Sequence, residues 1–555
     1  MRLLLIFTLL FSFSYAKTKD TCYTVQLTSF KFKQNSSYDF TKHGYPQSCK
    51  LISFTNINTV RCGCYEKYKD AKKEREQLKK TYAAALITTT YKYRFAPTKS
   101  LSKRVEKSYP LKKTLPKKET IKKRTIQKVE KKPLVEKEMV PEIQEESFYH
   151  NVSIQGNVDL TSQFYLKRPK NKHADNYTAS AELELGYVKD DLEFKTKLSA
   201  QQDYYDLKGT HQQTKRSFLR LDELYLQYEM ENDQIKIGKD IKFWGALEVR
   251  NITDGFNPTD LRADPFYVDK LGVWNASFTH YTESGGISFI VKAYEQSRDM
   301  SAFPYVYYYF PETIHTNFGS APLHYKNDLI TQSGKTRPTF YLKYSGSTDT
   351  KYPLDFAIIL QNGYDSQRYY STNFSPLTGD FQAKENAYIV NKLMTYDTLV
   401  VDSTLYKLEA VYADVEDSNV NNVSDYIHLG LGVEHTLTQV YKEADLGLIA
   451  EYYYYDTLEK GKKTDLELFE LFQNDLFLGL RYSFNEGNDA SIITGAILDL
   501  DYNEQVYYFE YESRIAEIIK LNFDYRYIKP SPTKPTAFHL MGAHERLSLK
   551  LGYYF

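Results

Sequence analysis

The sequence predicts a mainly β fold: a transmembrane antiparallel β-barrel of about 16 to 18 strands, preceded by a small α+β domain of βαββαβ order and a disordered basic linker. Over residues 545–555, apolar or aromatic residues occupy every second position. This is typical of a strand with one face in lipid, although a soluble sheet can also alternate. Tyrosine provides 51 of the 555 residues, and strands and membrane interfaces both favour it. After the amino terminus no run approaches the roughly 18 apolar residues of a membrane helix, so any crossing requires strands.

The amino terminus has the pattern of a secretory signal. Residues 1–16 contain Arg2, an apolar run, and small residues at Ser14 and Ala16. A signal peptidase reads small residues at these two positions. We expect the mature chain to begin at Lys17.

Residues 17–95 predict a small domain. Alternating segments near 23–27, 49–54, 59–64 and 84–90 indicate four strands. Between the last two, apolar residues recur at helical spacing among lysines and glutamates, which predicts an amphipathic helix over 66–82. The predicted order is therefore strand, short helix or loop, strand, strand, helix, strand.

Two motifs in this domain resemble a known family. Residues 23–30 read Tyr-Thr-Val-Gln-Leu-Thr-Ser-Phe, and residues 60–65 read Val-Arg-Cys-Gly-Cys-Tyr before the helix. The pattern resembles the sporulation-related repeat (SPOR) domain, which binds peptidoglycan glycan strands on the open face of a four-stranded sheet. The resemblance implies that Gln26, Ser29 and Arg61 face the glycan, and amide, hydroxyl and guanidinium groups suit a sugar polymer. The alternative is that they are solvated strand residues.

The four cysteines predict disulfides. Cys22, Cys49, Cys62 and Cys64 all lie in the first hundred residues of a chain predicted to be exported. Cys62 and Cys64 share one face of a strand, so we expect each to bond across to Cys22 or Cys49. Zinc is disfavoured, because Cys-Gly-Cys lacks the spacing of a zinc knuckle.

Residues 96–147 predict a disordered Lys/Pro-rich linker. The stretch 98–147 contains 15 Lys or Arg, 8 Asp or Glu and four prolines, without apolar periodicity. Such a segment cannot form a core. A basic tract also suits anionic partners, but export argues against nucleic acid, and a solvated spacer is the simpler interpretation.

Period-two alternation dominates from residue 148 to 555. Charged residues fill the second face of many strands, as expected where that face lines a wet lumen. Eighteen strands are predicted, an even number that returns both chain ends to one side of the membrane. They begin near 150, 176, 190, 217, 232, 271, 284, 338, 351, 386, 403, 425, 444, 474, 489, 505, 518 and 542.

Three connections are too long for turns: 246–270, 298–337 and 366–384. The first carries mixed charges, which on a loop inside a barrel would make a selective constriction. Exposure on the outer surface is the alternative. The candidate constriction residues are Lys242, Trp244, Arg250, Asp254, Asp260, Arg262 and Asp264.

Charge and motif content bear on function class. From residue 148 onward there are 57 acidic and 40 basic residues. A negative lumen would favour cations, but the same excess on outer loops would chiefly affect solubility. No Gly-x-Ser-x-Gly motif and no metal-ligand spacing occurs, so we predict no catalytic residue, no metal and no cofactor.

Through its closing strand, charged lumen face and long loops the chain resembles Gram-negative outer-membrane porins. The resemblance implies a porin or substrate-selective channel for small solutes, surrounded by outer-membrane lipid. The amino-terminal domain would lie in the periplasm and tether the barrel to peptidoglycan glycan strands. A purely structural tether is the main alternative, and an outer-membrane barrel enzyme is a further one. Solute identity and oligomeric state are left open by these patterns.

Overall fold

A computed structural model describes 21–31, 45–46, 48–53, 57–65, 68–79, 86–91 and 151–555, the last with gaps at 174, 209–212, 268, 309, 318, 349, 417–422, 460–465, 467–469, 486–487 and 517. The predicted signal peptide and the predicted linker lie outside the described residues, as does the segment 32–44 after the first strand. Within the described part of the chain, no helix has the length and apolar character needed to cross a membrane.

The amino-terminal unit is a four-stranded sheet with one described helix. Its elements are β1 Thr21–Lys31, β2 Cys49–Ser53, β3 Ile57–Tyr65, α1 Tyr68–Leu78 and β4 Leu86–Tyr91. The strand order is β2-β3-β1-β4, with β1 antiparallel to both β3 and β4. Val25, Val60 and Leu78 belong to its buried core. The four predicted strands and the helix before the last one are present.

A disulfide joins β2 and β3 of the amino-terminal sheet. Cys49 is bonded to Cys62, its cross-strand neighbour on β3. Cys64 is also disulfide-bonded, and no described cysteine is free. The side chain of Cys22 lies outside the described residues. The covalent link therefore closes the small core across β2 and β3.

From residue 152 onward the chain is almost entirely β. In chain order the elements are β5 Val152–Lys167, β6 Asn176–Lys189, β7 Leu192–Asp203, α2 Tyr204–Leu207, β8 Phe218–Glu229, β9 Asp233–Asp240, β10 Val273–Thr282, β11 Gly285–Lys292, β12 Thr313–Thr316, β13 Gly319–Thr331, β14 Thr339–Ser347, β15 Leu354–Tyr364, β16 Tyr369–Ser375, β17 Asp380–Ala387, β18 Ile389–Val401, β19 Thr404–Val415, β20 Tyr426–Tyr441, β21 Ala444–Thr457, β22 Asn474–Ser483, β23 Ser491–Asp499, β24 Gln505–Ala516, β25 Ile519–Lys529, α3 Ala537–Met541 and β26 His544–Tyr554.

Eighteen of the described strands form one closed antiparallel barrel. Strands β5 to β11, β14, β15 and β18 to β26 follow one another around it, and β26 closes on β5. Each begins within three residues of its predicted position. The prediction of the fold class is confirmed.

The two ends of the barrel differ in their connections. Both chain ends of the barrel, at Val152 and Tyr554, lie at the end with the short turns, such as 190–191 and 442–443. The opposite end carries the long connections, including 241–272 and 293–338. We call these the turn end and the loop end.

The two faces of the wall differ in chemistry. Along β26, Leu549, Leu551 and Tyr553 point outward and are exposed, whereas Arg546 and Ser548 point inward and are buried. The other barrel strands likewise expose large apolar residues on the outer face, while their inner face carries charged residues together with buried apolar ones such as Tyr341 and Phe477. A closed barrel with an apolar outer face and a charged interior is the arrangement of transmembrane barrels.

A second sheet lies within the long connections and was not predicted. Strands β12, β13, β17 and β16 pair in that order, and β13 runs parallel to β17. Arg298 donates to Glu385 at 2.6 Å and so joins the two connections that supply this sheet. The sequence showed these connections only as too long for turns.

The outer face of β14 provides a test of membrane insertion. Leu342 points outward and is exposed, and Ser345 lies on the inward face of the same strand. We expect Leu342→Arg to lower the free energy of unfolding in lipid vesicles by about 2–4 kcal/mol, because it places a cation in hydrocarbon.

The matched control is Ser345→Arg, which puts the same group on the inward face of the same strand. It should change the free energy of unfolding far less. Equal losses in urea titrations of the two variants would contradict an outer face in lipid.

Candidate functional site

Residues 241–272 leave the wall after β9, cross the barrel interior and return to β10. We call them the first inserted segment. The backbone of residues 246–253 makes no strand pairing and instead binds carboxylates of the facing wall. Glu409 on β19 accepts the backbone N–H groups of Ala246 at 2.7 Å, Leu247 at 3.0 Å and Thr253 at 3.0 Å. One buried carboxylate therefore satisfies three backbone donors of this stretch.

A second wall carboxylate extends this attachment. Glu451 on β21 accepts the backbone N–H groups of Glu248 at 2.6 Å and Val249 at 3.1 Å. The hydroxyl of Tyr453 donates to Glu451 at 2.6 Å and accepts the N–H of Arg250 at 3.1 Å. The stretch 246–250 is thus bound to the wall by consecutive backbone hydrogen bonds.

Glycines of β20 make room for the same stretch. A Cβ at Gly430 would lie 2.4 Å from Leu247 Cδ1, and one at Gly432 would lie 2.9 Å from Leu247 Cδ2. Leu247 is 5% exposed. Two inward positions without side chains therefore form the slot that receives this leucine.

Asp264 attaches the later part of the first inserted segment to β25 and β26. Its carboxylate lies 2.9 Å from Arg526 Nη1 and 2.6 Å from Arg546 Nη1. Arg546 also contacts Asp524 at 2.5 Å. Burial alone would raise the pKa of Asp264, but Arg526 and Arg546 outweigh it and hold that pKa at about 2. The carboxylate is therefore ionised at any physiological pH.

A second segment enters the interior from the connection between β11 and β14. Residues 300–308 contain Tyr305 and Tyr307, both almost fully buried. Tyr307 donates its hydroxyl to Asp264 at 3.3 Å and accepts from Arg546 at 2.9 Å. Lys172 donates to the carbonyls of Tyr305 at 3.3 Å and Tyr308 at 2.7 Å. The two inserted segments are therefore held by one shared network.

Most predicted constriction residues serve as attachments. Asp260 is 2% exposed and binds Arg262 at 2.6 Å, and Asp254 binds Lys270 at 2.5 Å. Lys242 donates to Asp240 at 2.9 Å. Trp244 is 4% exposed and its ring lies 5.4 Å from those of Phe256 and Tyr341. These residues, like Asp264, fix where the segment lies rather than presenting charge to a solute.

Arg250 is the predicted candidate that remains accessible. Its side chain is 32% exposed and lies 3.8 Å from Glu470. Beside it, Glu248 forms a 2.5 Å ion pair with Arg481 of β22, with side-chain exposures of 29% and 33%. Tyr267, also exposed, donates to Glu510 of β24 at 3.2 Å. We call Glu248, Arg250, Tyr267, Arg481 and Glu510 the rim residues.

Of the five rim residues, only Arg250 was predicted from the sequence. Arg481 and Glu510 occupy inward positions of alternating strands, so the period-two pattern could have placed them in the lumen. Nothing in the sequence pairs Glu248 with Arg481, because the two are 233 positions apart and meet only through the insertion. Gly430 and Gly432 alternate with leucines on β20, and glycines in a strand are a sequence signal that another part of the chain packs closely against it.

Cross-strand ion pairs line the lumen toward the turn end. Lys195 lies 2.9 Å from Glu184 and 3.2 Å from Glu223, and Lys197 lies 3.1 Å from Glu182. The side chains of this group are partly exposed, Glu182 to 46%. Charges that are exposed on an inward face indicate that solvent reaches them.

The predicted glycan-binding residues share one region of the amino-terminal sheet. Gln26 pairs with Arg61 across β1 and β3, and Ser29 pairs with Thr59. Arg61 is 8% exposed and donates its Nε to Thr59 Oγ1 at 3.0 Å. Gln26 is half-buried. The side chain of Ser29 lies outside the described residues.

Among the described residues, no group of three or more potential ligands could hold a metal ion. The arrangement instead consists of a barrel lumen, two segments inserted into it and a charged rim.

No protein-family model matches the chain, and no curated protein matches it. Solved structures to which it is similar include OccK5 (OpdH) of Pseudomonas aeruginosa, at 10% identity and a TM-score of 0.43, over 74% of this chain and 99% of that one. OccAB2 of Acinetobacter baumannii has 12% identity and a TM-score of 0.42 over 74% and 99% of the two chains. The outer-membrane OmpT of Vibrio cholerae has 10% identity and a TM-score of 0.38 over 73% and 97%.

The attachment at Asp264 provides a test with a defined pH dependence. We expect Asp264→Asn to lower the free energy of unfolding by about 3–5 kcal/mol at neutral pH, because it leaves the buried Arg526 without its carboxylate partner and removes one of the two carboxylates that contact Arg546. In the wild type the pKa of about 2 lies below that of a free aspartate, roughly 3.9. Its stabilisation is therefore complete above about pH 4 and is lost as the pH falls through about 2.

The control is Asp489→Asn, which removes an exposed pair with Arg514 at 3.2 Å. An exposed pair contributes about 0–1 kcal/mol. Denaturant titrations and limited proteolysis of the first inserted segment measure both variants. If Asp264→Asn unfolds no more readily than Asp489→Asn, the inserted segments do not depend on this network.

Proposed function

We propose that the barrel is an outer-membrane channel for small polar solutes, with its narrowest part at the rim residues. The observation that carries this proposal is the partial exposure of inward charged side chains at both levels of the lumen. Lys197 and Glu182 are exposed toward the turn end, and Arg481 and Glu248 beside the first inserted segment. A barrel of eighteen strands is wide enough on scaling alone to leave an aqueous path.

The rim favours selection by size and polarity rather than by one sign of charge. Glu248 and Glu510 oppose Arg250 and Arg481, so the exposed groups there nearly balance. Two further carboxylates lie against these arginines, Glu470 at 3.8 Å from Arg250 and Glu434 at 2.8 Å from Arg481, but each is only 9% exposed, so the charges that a solute can reach stay balanced. We infer weak ion selectivity for the channel.

The connections at the two ends support an orientation. Known transmembrane barrels place short turns in the periplasm and long loops outside. By this rule the turn end, from which the preceding segment leaves the barrel, faces the periplasm. The amino-terminal domain would then lie on the side of the cell wall.

A structural tether is the second candidate, and one observation favours it. Two buried apolar clusters form between the inserted segments and the wall, one around Tyr307 and Phe477 and one around Trp244 and Tyr341. These clusters fill part of the lumen at the loop end. If they closed it completely, the barrel would act only as an anchor.

Single-channel recording distinguishes the two candidates. The folded full-length chain in planar bilayers should give discrete conductance steps. Glu248→Ala with Arg481→Ala should raise the conductance, because it removes two long side chains from the rim, whereas Asp489→Asn at the turn end should leave it unchanged. A folded barrel without conductance would favour the tether.

We further propose that the amino-terminal domain binds peptidoglycan glycan. The support is the SPOR-like motif and the pairing of Gln26 with Arg61 on neighbouring strands. The full-length chain in detergent should co-sediment with purified sacculi, more so after an amidase removes stem peptides. Gln26→Ala should remove hydrogen bonds worth about 0.5–1.5 kcal/mol and weaken binding several-fold.

A chain beginning at residue 148 is the reference for this experiment, since it keeps the barrel and lacks the domain. It should stay in the supernatant. Equal sedimentation of the two chains would assign any wall binding to the barrel and leave the domain without this role.

A further inference from the structure

Exposed cations gather at one sector of the loop end. One lies at the end of β25, and the others lie in the connections after β5, β7 and β25. The members are Arg168, Lys170, Lys208, Lys215, Lys529 and Lys534, and all six are exposed. We call these six residues the basic rim, which shares no member with the rim residues of the lumen. Strands β25, β26, β5, β6, β7 and β8 are consecutive in the barrel, so at about 4.8 Å per strand the sector is roughly 24 Å wide.

These cations are not neutralised within the described part of the molecule. Of the described residues, none forms an ion pair with a member of the basic rim. Asp203 is paired with Arg216 at 2.7 Å. The other acids of the sector are Asp175, Asp206 and Glu545, which accept hydrogen bonds from neutral donors. The six cations outnumber these three carboxylates. The sector therefore presents a net positive surface.

An apolar surface lies directly beneath these cations on the outside of the barrel. Phe164, Tyr177 and Tyr204 form an edge-to-face series with ring centroids 6.2 Å and 5.8 Å apart. Leu207 is 69% exposed and Leu219 79% exposed. Exposed apolar side chains that continue the outer apolar face of the barrel indicate a surface that lipid covers.

One contact shows that the charged and apolar parts form a single surface. Lys208 Nζ lies 4.3 Å from the centroid of the Tyr204 ring. A cation over the face of an exposed aromatic ring leaves its remaining donors free for an anion. Several described cations elsewhere at the loop end are paired with carboxylates, for example Lys384 with Asp328 at 3.1 Å and Arg368 with Glu295 at 2.5 Å.

We propose that the basic rim binds the phosphate-bearing headgroup of a lipid in the leaflet at the loop end, with the acyl chains against Leu166, Leu207 and Leu219. Lysine and arginine form charge-assisted hydrogen bonds with phosphate oxygens, and each cation near an anionic membrane surface adds to the attraction. The aromatic series fixes the depth at which the headgroup lies. This proposal rests on the proposed location in a membrane but does not require that the lumen conducts.

The test uses the full-length chain in dodecyl maltoside micelles doped with bisphosphorylated lipid A, and the same lipid without phosphates as the comparison probe. The triple variant Arg168→Ala, Lys208→Ala, Lys529→Ala should bind the bisphosphorylated lipid about one hundred-fold more weakly, at about five-fold for each charge removed. Binding of the wild type should fall as salt rises. Heat-modified gel mobility verifies that each variant is a folded barrel.

The matched control is Lys351→Ala, because Lys351 Nζ lies 4.8 Å from the ring centroid of the exposed Tyr352 at the turn end. It should bind the lipid as the wild type does. The proposal is overturned if the triple variant retains binding, if Lys351→Ala loses as much, or if removing the phosphates changes nothing. A wild type that binds the lipid but gives no conductance would end the channel proposal and leave this one standing.

Discussion

The carboxylate of Asp264 lies between two arginines of the barrel wall, and the interior of the barrel is organised around it. Arg526 and Arg546 would be costly to bury on inward strand faces without an anion. Asp264 supplies that anion from a segment that enters the lumen, and Tyr307 joins the same network from a second segment. Arg546 also contacts Asp524 of the wall, so it is the pairing of Arg526 that requires the first inserted segment to be inside the barrel, and the hydroxyl of Tyr307 adds the second segment to the network. The positions of Glu248, Arg250 and Tyr267, the rim residues that belong to this segment, follow from that requirement.

The backbone imposes a second constraint of the same kind. Residues 246–253 run through the lumen without a strand partner, and buried N–H groups must find acceptors. Glu409 and Glu451 provide them from the wall, while Gly430 and Gly432 leave space for Leu247. Glu409 and Glu451 have the sequence pattern of ordinary lumen charges, but in the structure they are attachment points for the inserted backbone. The exposed charges that remain, such as Arg481, are the ones available to a solute.

The sequence identified the segment that carries the candidate site but left open whether it enters the pore or lies on the outer surface. The sequence indicated that 246–270 was long and charged, and the structure shows it inside the barrel. Charge by itself does not distinguish a side chain that faces water from one that is paired and buried. Asp254 and Asp260 satisfy local cations, whereas Glu248 reaches a strand far along the chain. Only the closed wall brings Glu248 beside Arg481.

The sequence by itself determined the barrel, because a strand between lipid and water must alternate in chemistry at every second residue, and that period is local. It therefore gave the number of barrel strands and their starting positions. The tertiary structure decided what the long connections do. Their insertion, the sheet formed by β12, β13, β17 and β16, and the sector of unpaired cations all depend on contacts between residues distant in sequence. Such contacts leave no period in the chain, since each is set by the geometry of closure.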